Sequence, residues 1–152
     1  MSVETGRQAP DFELKDQHGQ KVRLSDFRGR QNVVLVFYPF AFSSICTGEL
    51  CEIRDNLEVF SSDKVQVVGI SCDPMYSLRA FAEVEGYDFP LLSDFWPHGE
   101  VARSYGVFEE KAGRAVRGSF LIDTEGVLRW SVVHAAGEAR PLAAYREALA
   151  AL

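Results

Sequence analysis

The chain of 152 residues has no apolar run long enough to cross a membrane. Its longest, Val33 to Phe42, falls far short of the roughly 20 residues a spanning helix needs, and Pro39 interrupts it. Runs of Lys and Arg are also lacking, and 16 Lys+Arg against 22 Asp+Glu leave a formal net charge of −6. That acidic balance repels phosphate backbones, so nucleic acid is not an expected partner. The segment Met1–Arg7 has neither the basic start nor the apolar centre of a signal peptide. Cysteine is scarce, and its count of 3 is odd, which suits a reducing compartment. The expected location is therefore cytoplasmic. No C-x-x-C pair and no Cys/His spacing of a zinc site occurs; His18, His98 and His134 stand apart, so no cofactor or metal is expected. Repeats, linkers and composition breaks are absent as well, which leads to the expectation of a single domain over residues 1–152. A hydrophobic share of 47% is ordinary for a globular chain. At this length about 70% of the unfolded surface can be buried, without disulfides or a structural metal.

What is present reads as alternating strands and helices. Short alternating runs around Asp16-Gln17-His18-Gly19 predict an N-terminal β-hairpin. Val33 to Phe37 and Lys64 to Ser71 are apolar and β-branched, the pattern of strands buried on both faces. Between them Cys46, Leu50, Ile53, Leu57 and Phe60 are spaced by four, three, four and three, within about 40° of one line on a helix. Strand, helix and strand make a βαβ unit with parallel pairing. Further helices are predicted over Ser77 to Glu85, Gly99 to Tyr105 and Leu142 to Leu152, the last with Pro141 at its first turn. Phe89 to Leu92 reads as a short strand. Phe120 to Asp123 and Val127 to Val133 flank a Thr124-Glu125-Gly126 turn. The expected fold is α/β and thioredoxin-like: a central mixed sheet flanked by helices, with an added N-terminal hairpin.

One segment carries chemistry. After the first buried strand, Ser43 or Ser44 can cap the next helix, and either choice puts Cys46 in its first turn. Free backbone N–H groups and the positive end of the helix dipole favour a thiolate there. Cys46 also lies on the apolar stripe, so position alone leaves a buried core cysteine open as well.

The pattern Pro39-x-x-x-Ser43-x-x-Cys46 resembles the active-site signature of the peroxiredoxin family. Ala9-Pro10-Asp11-Phe12, Phe89-Pro90-Leu91-Leu92-Ser93-Asp94, Tyr105-Gly106-Val107 and Arg117-Gly118-Ser119-Phe120-Leu121-Ile122-Asp123 match in the same order. Ser93-Asp94-Phe95-Trp96-Pro97-His98-Gly99 further resembles the actinobacterial one-cysteine class, alkyl hydroperoxide reductase E. The resemblance implies a thiol-dependent peroxidase acting on hydrogen peroxide and organic hydroperoxides, in which Cys46 becomes a sulfenic acid. It implies that Ser43 hydrogen-bonds the sulfur and the peroxide, Arg117 supports the thiolate and the developing charge, Glu49 orients an arginine, and Pro39 shields the reacting pair from water. No metal is required. A homodimer is implied, with an external reductant that is thioredoxin, or a low-molecular-weight thiol with a glutaredoxin-like protein. Phe40, Phe42 and Trp96 suit alkyl or fatty-acid hydroperoxides; Phe95 and Trp96 suit a rim, a subunit contact or plain packing.

Cys51 follows Cys46 by five residues, a spacing found in the bacterioferritin comigratory protein class, where the second cysteine resolves the sulfenic acid. On the helical wheel it lies about 140° from the apolar stripe, an exposed face beside Asp55 and Glu58. A resolving thiol, a bystander and a thiol buried in a subunit interface all remain open. Cys72 shares a strand face with Val68 and Ile70 and reads as core, with a backup resolving role open. Two other functions compete: a thiol–disulfide oxidoreductase, weakened by the missing C-x-x-C, and a non-enzymatic redox sensor.

Overall fold

The structure, a computed structural model, describes residues 3–56, 64–134 and 142–152, with the side chains of 44–49, 134 and 142 outside the description. Leu57, Phe60 and Pro141 of the expected helices lie outside the described residues. No helix among the described residues is long and apolar enough to cross a membrane.

The β-branched run that predicted a doubly buried strand forms β3 (Asn32–Phe37), in which Val33 through Phe37 are no more than 1% exposed. It pairs in parallel with β4 (Val65–Ser71), Val36 opposite Gly69 and Phe37 opposite Ile70. A parallel pair needs a crossover, and α1 (Ser44–Asp55) lies between the two strands in sequence. Alternate residues of β3 serve two cores. Val33, Leu35 and Phe37 pack with Ile70, Tyr105, Val107 and Phe120 on one face. Val34, Val36 and Tyr38 pack with Leu50, Ile53, Leu78, Phe81 and Tyr145 on the other. Leu50 and Ile53 are thus the buried stripe that the heptad-like spacing predicted for α1.

The predicted hairpin consists of β1 (Glu13–Lys15) and β2 (Lys21–Arg23), turned by Asp16, whose Oδ1 accepts the N–H groups of His18 and Gln20 at 2.8 and 3.0 Å. Among the described residues, β5 (Leu91–Ser93), β8 (Arg117–Ile122) and β9 (Leu128–His134) complete a seven-stranded sheet of order β2-β1-β5-β4-β3-β8-β9. Two further strands, β6 (Phe108–Glu109) and β7 (Arg114–Ala115), make a small separate hairpin that no sequence pattern signalled. The remaining helices are α2 (Met75–Glu85), α3 (Glu100–Ser104) and α4 (Leu142–Ala150). Helix α2 starts two residues before the expected Ser77, with Pro74 at its N-cap, and Pro74 disfavours helical backbone at Asp73 before it. Strand β5 begins after Pro90, which has no N–H to give to a ladder, rather than at Phe89. Gln17, 5% exposed, stands in for part of that ladder: its amide donates to Phe89 O at 3.2 Å and accepts Leu91 N–H at 2.9 Å.

Asp94 closes the loop after β5. Its carboxylate is 1% exposed and accepts the N–H groups of Val101 and Ala102 at 3.1 and 2.9 Å, at the start of α3. Burial pushes its pKa up to about 6, against the pull of those two hydrogen bonds. Between the ordinary carboxyl range and about 6, the folded protein holds a proton that the unfolded chain has released. Stability therefore falls as pH rises through that window, by up to about 3 kcal/mol. Urea denaturation between about pH 4 and 6.5 should show this slope in the wild type and not in Asp94→Asn. Equal slopes in both proteins would remove Asp94 as its cause.

Candidate active site at the carboxyl edge of the central strands

Parallel pairing brings the carboxyl ends of β3, β4 and β5 to one edge, and antiparallel β8 starts there. Ligands of open α/β sheets bind outside this edge. Tyr38 and Pro39 leave β3 there, both buried, and Cys72 and Asp73 leave β4. Arg117 opens β8 one position beyond the Gly118–Phe37 pair, level with Tyr38. At 2% exposure it is a buried cation, and guanidinium groups are rarely buried unless held by an anion or by several acceptors.

Between β3 and α1 the chain makes a strained turn. Phe42 sits at φ 68°, left-handed backbone that costs a bulky residue about 1–3 kcal/mol and persists only where the surroundings impose it. Three contacts impose it. Ala41 N–H donates to Asp73 Oδ2 at 2.8 Å, Ser43 N–H reaches Phe40 O at 3.4 Å, and the Phe42 ring lies 4.9 Å from that of Phe81. Phe40 is 40% exposed, with the Arg114 guanidinium 5.7 Å from its ring centre.

Ser43 is the N-cap residue of α1, with extended backbone at φ −72° and ψ 143°. Of the two expected caps, Ser43 or Ser44, it is Ser43 that takes the N-cap position, but its side chain makes no cap hydrogen bond. Its Oγ is buried and has no hydrogen-bond partner among the described residues. A buried hydroxyl left unpaired costs about 1–3 kcal/mol of desolvation, so the described hydrogen bonds give it no part in holding the fold. Cys46 is the third helical residue, in the first turn as expected, where backbone N–H groups have no partner within the helix. Glu49 lies one turn further on. The side chains of Cys46 and Glu49 are outside the described residues, so the contacts expected of them are too.

Cys51 is not on an exposed face. It is half-buried against the core beneath α1, because the end of α2 and the residues after it cover this flank of the helix. Its thiol donates to Glu85 Oε2 at 3.2 Å, and the Tyr87 hydroxyl lies 3.4 Å from Sγ. Arg54 binds the backbone carbonyl of Glu85 and lies 3.8 Å from its carboxylate. Burial pushes the Cys51 pKa up; the Tyr87 hydrogen bond opposes this and Glu85 adds to it. Cys72 is 5% exposed, and burial, then the Asp94 charge, pushes its thiol to about 12. It packs as the core residue its strand face predicted.

His98 faces two carbonyls, Phe95 O at 3.1 Å and Gly113 O at 2.6 Å, and joins two loops. No group of His, Cys, Asp or Glu among the described residues is arranged to hold a metal. Trp96, 80% exposed, and Phe95 border a cleft of about 460 Å³ with Leu14, Met75 and Tyr76. Of the residues singled out in the sequence, the edge gathers Pro39, Ser43, Arg117 and the first turn carrying Cys46. Asp73 was missed. An acidic residue just past a buried strand gives no signal of what its side chain will reach.

The sequence profile of the AhpC/TSA family matches residues 5–131. Alkyl hydroperoxide reductase E of Mycobacterium tuberculosis is 47% identical over 150 residues, covering 99% of this chain and 98% of that protein. The crystal structure of peroxidoxin BcpB from Mycobacterium tuberculosis superimposes with a TM-score of 0.87 at 36% identity, covering 99% of this chain and 98% of that one. Enterococcus faecalis AhpC gives 0.87 at 28% identity, covering 99% and 92%.

Among the described residues the buried Ser43 hydroxyl has no hydrogen-bond partner, so its removal breaks none of the hydrogen bonds described. Ser43→Ala should leave stability unchanged or raise it by about 1 kcal/mol, read as the urea midpoint at constant slope. A loss of 1 kcal/mol or more would mean that the hydroxyl holds the fold.

Proposed function

The chain belongs to the AhpC/TSA family, the peroxiredoxins, and from that premise we propose that Cys46 is its peroxide-reducing nucleophile. As a peroxiredoxin the protein is a thiol-dependent peroxidase. In the proposed cycle the Cys46 thiolate attacks the terminal peroxide oxygen, the O–O bond breaks, and its electrons leave with the departing alkoxide or hydroxide, which takes up a proton. Cys46 is left as a sulfenic acid. An external thiol then condenses with it, releasing water and forming a mixed disulfide that a second thiol reduces.

The observation that carries this reading is the buried hydroxyl of Ser43, without a partner among the described residues, at the N-cap of the helix whose first turn holds Cys46. Thiolate formation alone is a small gain. A thiol of pKa about 8.5 is already a few per cent ionised at neutral pH, so full ionisation gains at most about 30-fold, roughly 2 kcal/mol. Lowering a thiol's pKa also weakens it as a nucleophile. Larger acceleration must come from donors aimed at the breaking O–O bond. Ser43 and the guanidinium of Arg117 supply those donors in this reading, Pro39 keeps water from the reacting pair, and Glu49 orients an arginine. The enzyme works as a single cytoplasmic domain, paired as a homodimer, on hydrogen peroxide and organic hydroperoxides. Its reductant is a low-molecular-weight thiol with a glutaredoxin-like protein, or thioredoxin.

A second reading of the resolving step uses Cys51, half-buried on the same helix as Cys46, with Glu85 Oε2 3.2 Å from its sulfur as the acceptor of its proton during attack, although burial and Glu85 hold the resting thiol protonated. Cys51 would then attack the sulfur of the Cys46 sulfenic acid, breaking its S–O bond; the oxygen takes up a proton and leaves as water, and the internal disulfide is formed. In the continuous helix Ser44–Asp55 the two Cα atoms stand about 8.6 Å apart, beyond the ~4.4–6.8 Å a disulfide spans, so the first turns must unwind. Gly48, a poor helix former, lowers the cost of unwinding.

Intact mass after one equivalent of hydrogen peroxide separates the two. A gain of about 16 Da that is lost in Cys46→Ser means a stable sulfenic acid and an external thiol. A loss of about 2 Da that needs both Cys46 and Cys51 means the internal disulfide. Peroxide consumption by Cys46→Ser at the wild-type rate would contradict both. Arg117→Ala should slow peroxide reduction well beyond what its thiolate fraction explains; a decrease matched by ionisation alone would end the role given to Arg117.

A further inference from the structure

We propose that Asp73 is a positioning residue for peroxide reduction: its carboxylate holds the turn before α1 so that the Ser43 hydroxyl meets the peroxide. The proposal rests on the reading of Ser43 and Cys46 given above.

Asp73 is anchored on two sides. Its Oδ2 accepts the Ser71 hydroxyl at 2.7 Å, and its backbone carbonyl accepts the Ser93 hydroxyl at 2.6 Å. Ser71 and Ser93 end β4 and β5 as paired residues of the sheet, and Ser71 is fully buried. The carboxylate is therefore fixed to the rigid part of the molecule before it contacts the turn. From that position Oδ2 takes the N–H of Ala41 at 2.8 Å, a contact across 32 residues of sequence. A carboxylate is a stronger acceptor for an N–H than a carbonyl is.

Ala41 directly precedes Phe42, whose φ of 68° the chain does not adopt without constraint. Ser43 comes next, so the direction of its Oγ follows from the two peptide planes before it. With the Ala41 anchor removed, only the Phe40 carbonyl and the Phe81 ring still hold the left-handed φ; Phe42 then relaxes toward negative φ, which turns the Ser43 hydroxyl away and shifts the entry to α1. A displacement of about 1 Å at a reacting centre is enough to cost up to a hundredfold in rate. Asp73 touches neither peroxide nor sulfur in this account; it acts through the turn.

The test compares Asp73→Ala with Asp73→Asn by following peroxide reduction against pH. Both variants remove a negative charge, so any change in the ionisation midpoint of Cys46 is common to both. The alkaline plateau, where Cys46 is fully ionised, reads positioning alone. Asn, with its amide oxygen in the place of Oδ2, can still accept both the Ala41 N–H and the Ser71 hydroxyl. The expected result is a plateau lowered about tenfold or more in Asp73→Ala and within about threefold of wild type in Asp73→Asn. A folded Asp73→Ala with the wild-type plateau would overturn the proposal, as would equal losses in both variants. Amide hydrogen exchange in the wild type needs no variant to fold. Ala41 should be protected relative to Phe40, and an Ala41 amide exchanging at the unprotected rate would refute the anchor. Activity surviving in Cys46→Ser would defeat the reading of the site instead, and would leave the exchange result standing.

Discussion

The parallel ladder between β3 and β4 is the constraint from which the site follows. A parallel pair cannot be closed by a tight turn, so the chain must cross the sheet, and α1 makes part of that crossing. The helix therefore begins at the edge where β3 ends. The unpaired N–H groups of its first turn, the positive end of its dipole and Cys46 arrive there together. Antiparallel β8 brings Arg117 to the same edge from the other side of β3. Because β3 is buried on both faces, its register is set by two cores at once, which pins the site residues at its end.

Around this rigid edge the turn from 38 to 43 departs from what stability alone favours. It contains a left-handed phenylalanine and a buried hydroxyl without a partner among the described residues. Both features cost free energy that the cores on either side of β3 offset, and both sit beside the helix start. Strain and unmet hydrogen-bonding capacity concentrated at one place are what a site prepared for a ligand requires. The cysteines differ in the same physical terms. Cys72 is buried with a thiol pushed to about 12, Cys51 is half-buried with its thiol donated to Glu85, and Cys46 lies at a helix start.

Much of this was legible in the sequence. The β-branched runs of β3 and β4, the spacing of Leu50 and Ile53, and the Asp16–Gly19 turn are local patterns with direct structural causes, and each formed as predicted. The family resemblance rested on ordered matches along most of the chain, and the profile match to residues 5–131 agrees with it. What was not legible depends on contacts between distant residues. The wheel put Cys51 on a free face because it sees one helix and not Glu85 and Tyr87, more than 30 residues away. The capping rule gave the Ser43 hydroxyl a local partner that the folded turn does not use. The β6–β7 hairpin is too short for any periodicity, and the reach of Asp73 to Ala41 exists only once β4 and the turn are side by side.

In the proposed cycle, peroxide reduction depends on hydrogen-bond donors held at the reacting oxygens more than on an acidic cysteine. The most direct measurement is the second-order rate constant with hydrogen peroxide as a function of pH, in wild type and in Ser43→Ala. With Cys46 fully ionised in both proteins, the plateau of Ser43→Ala should be lowered about tenfold or more. A plateau equal to the wild type, with only the ionisation midpoint displaced, would contradict it.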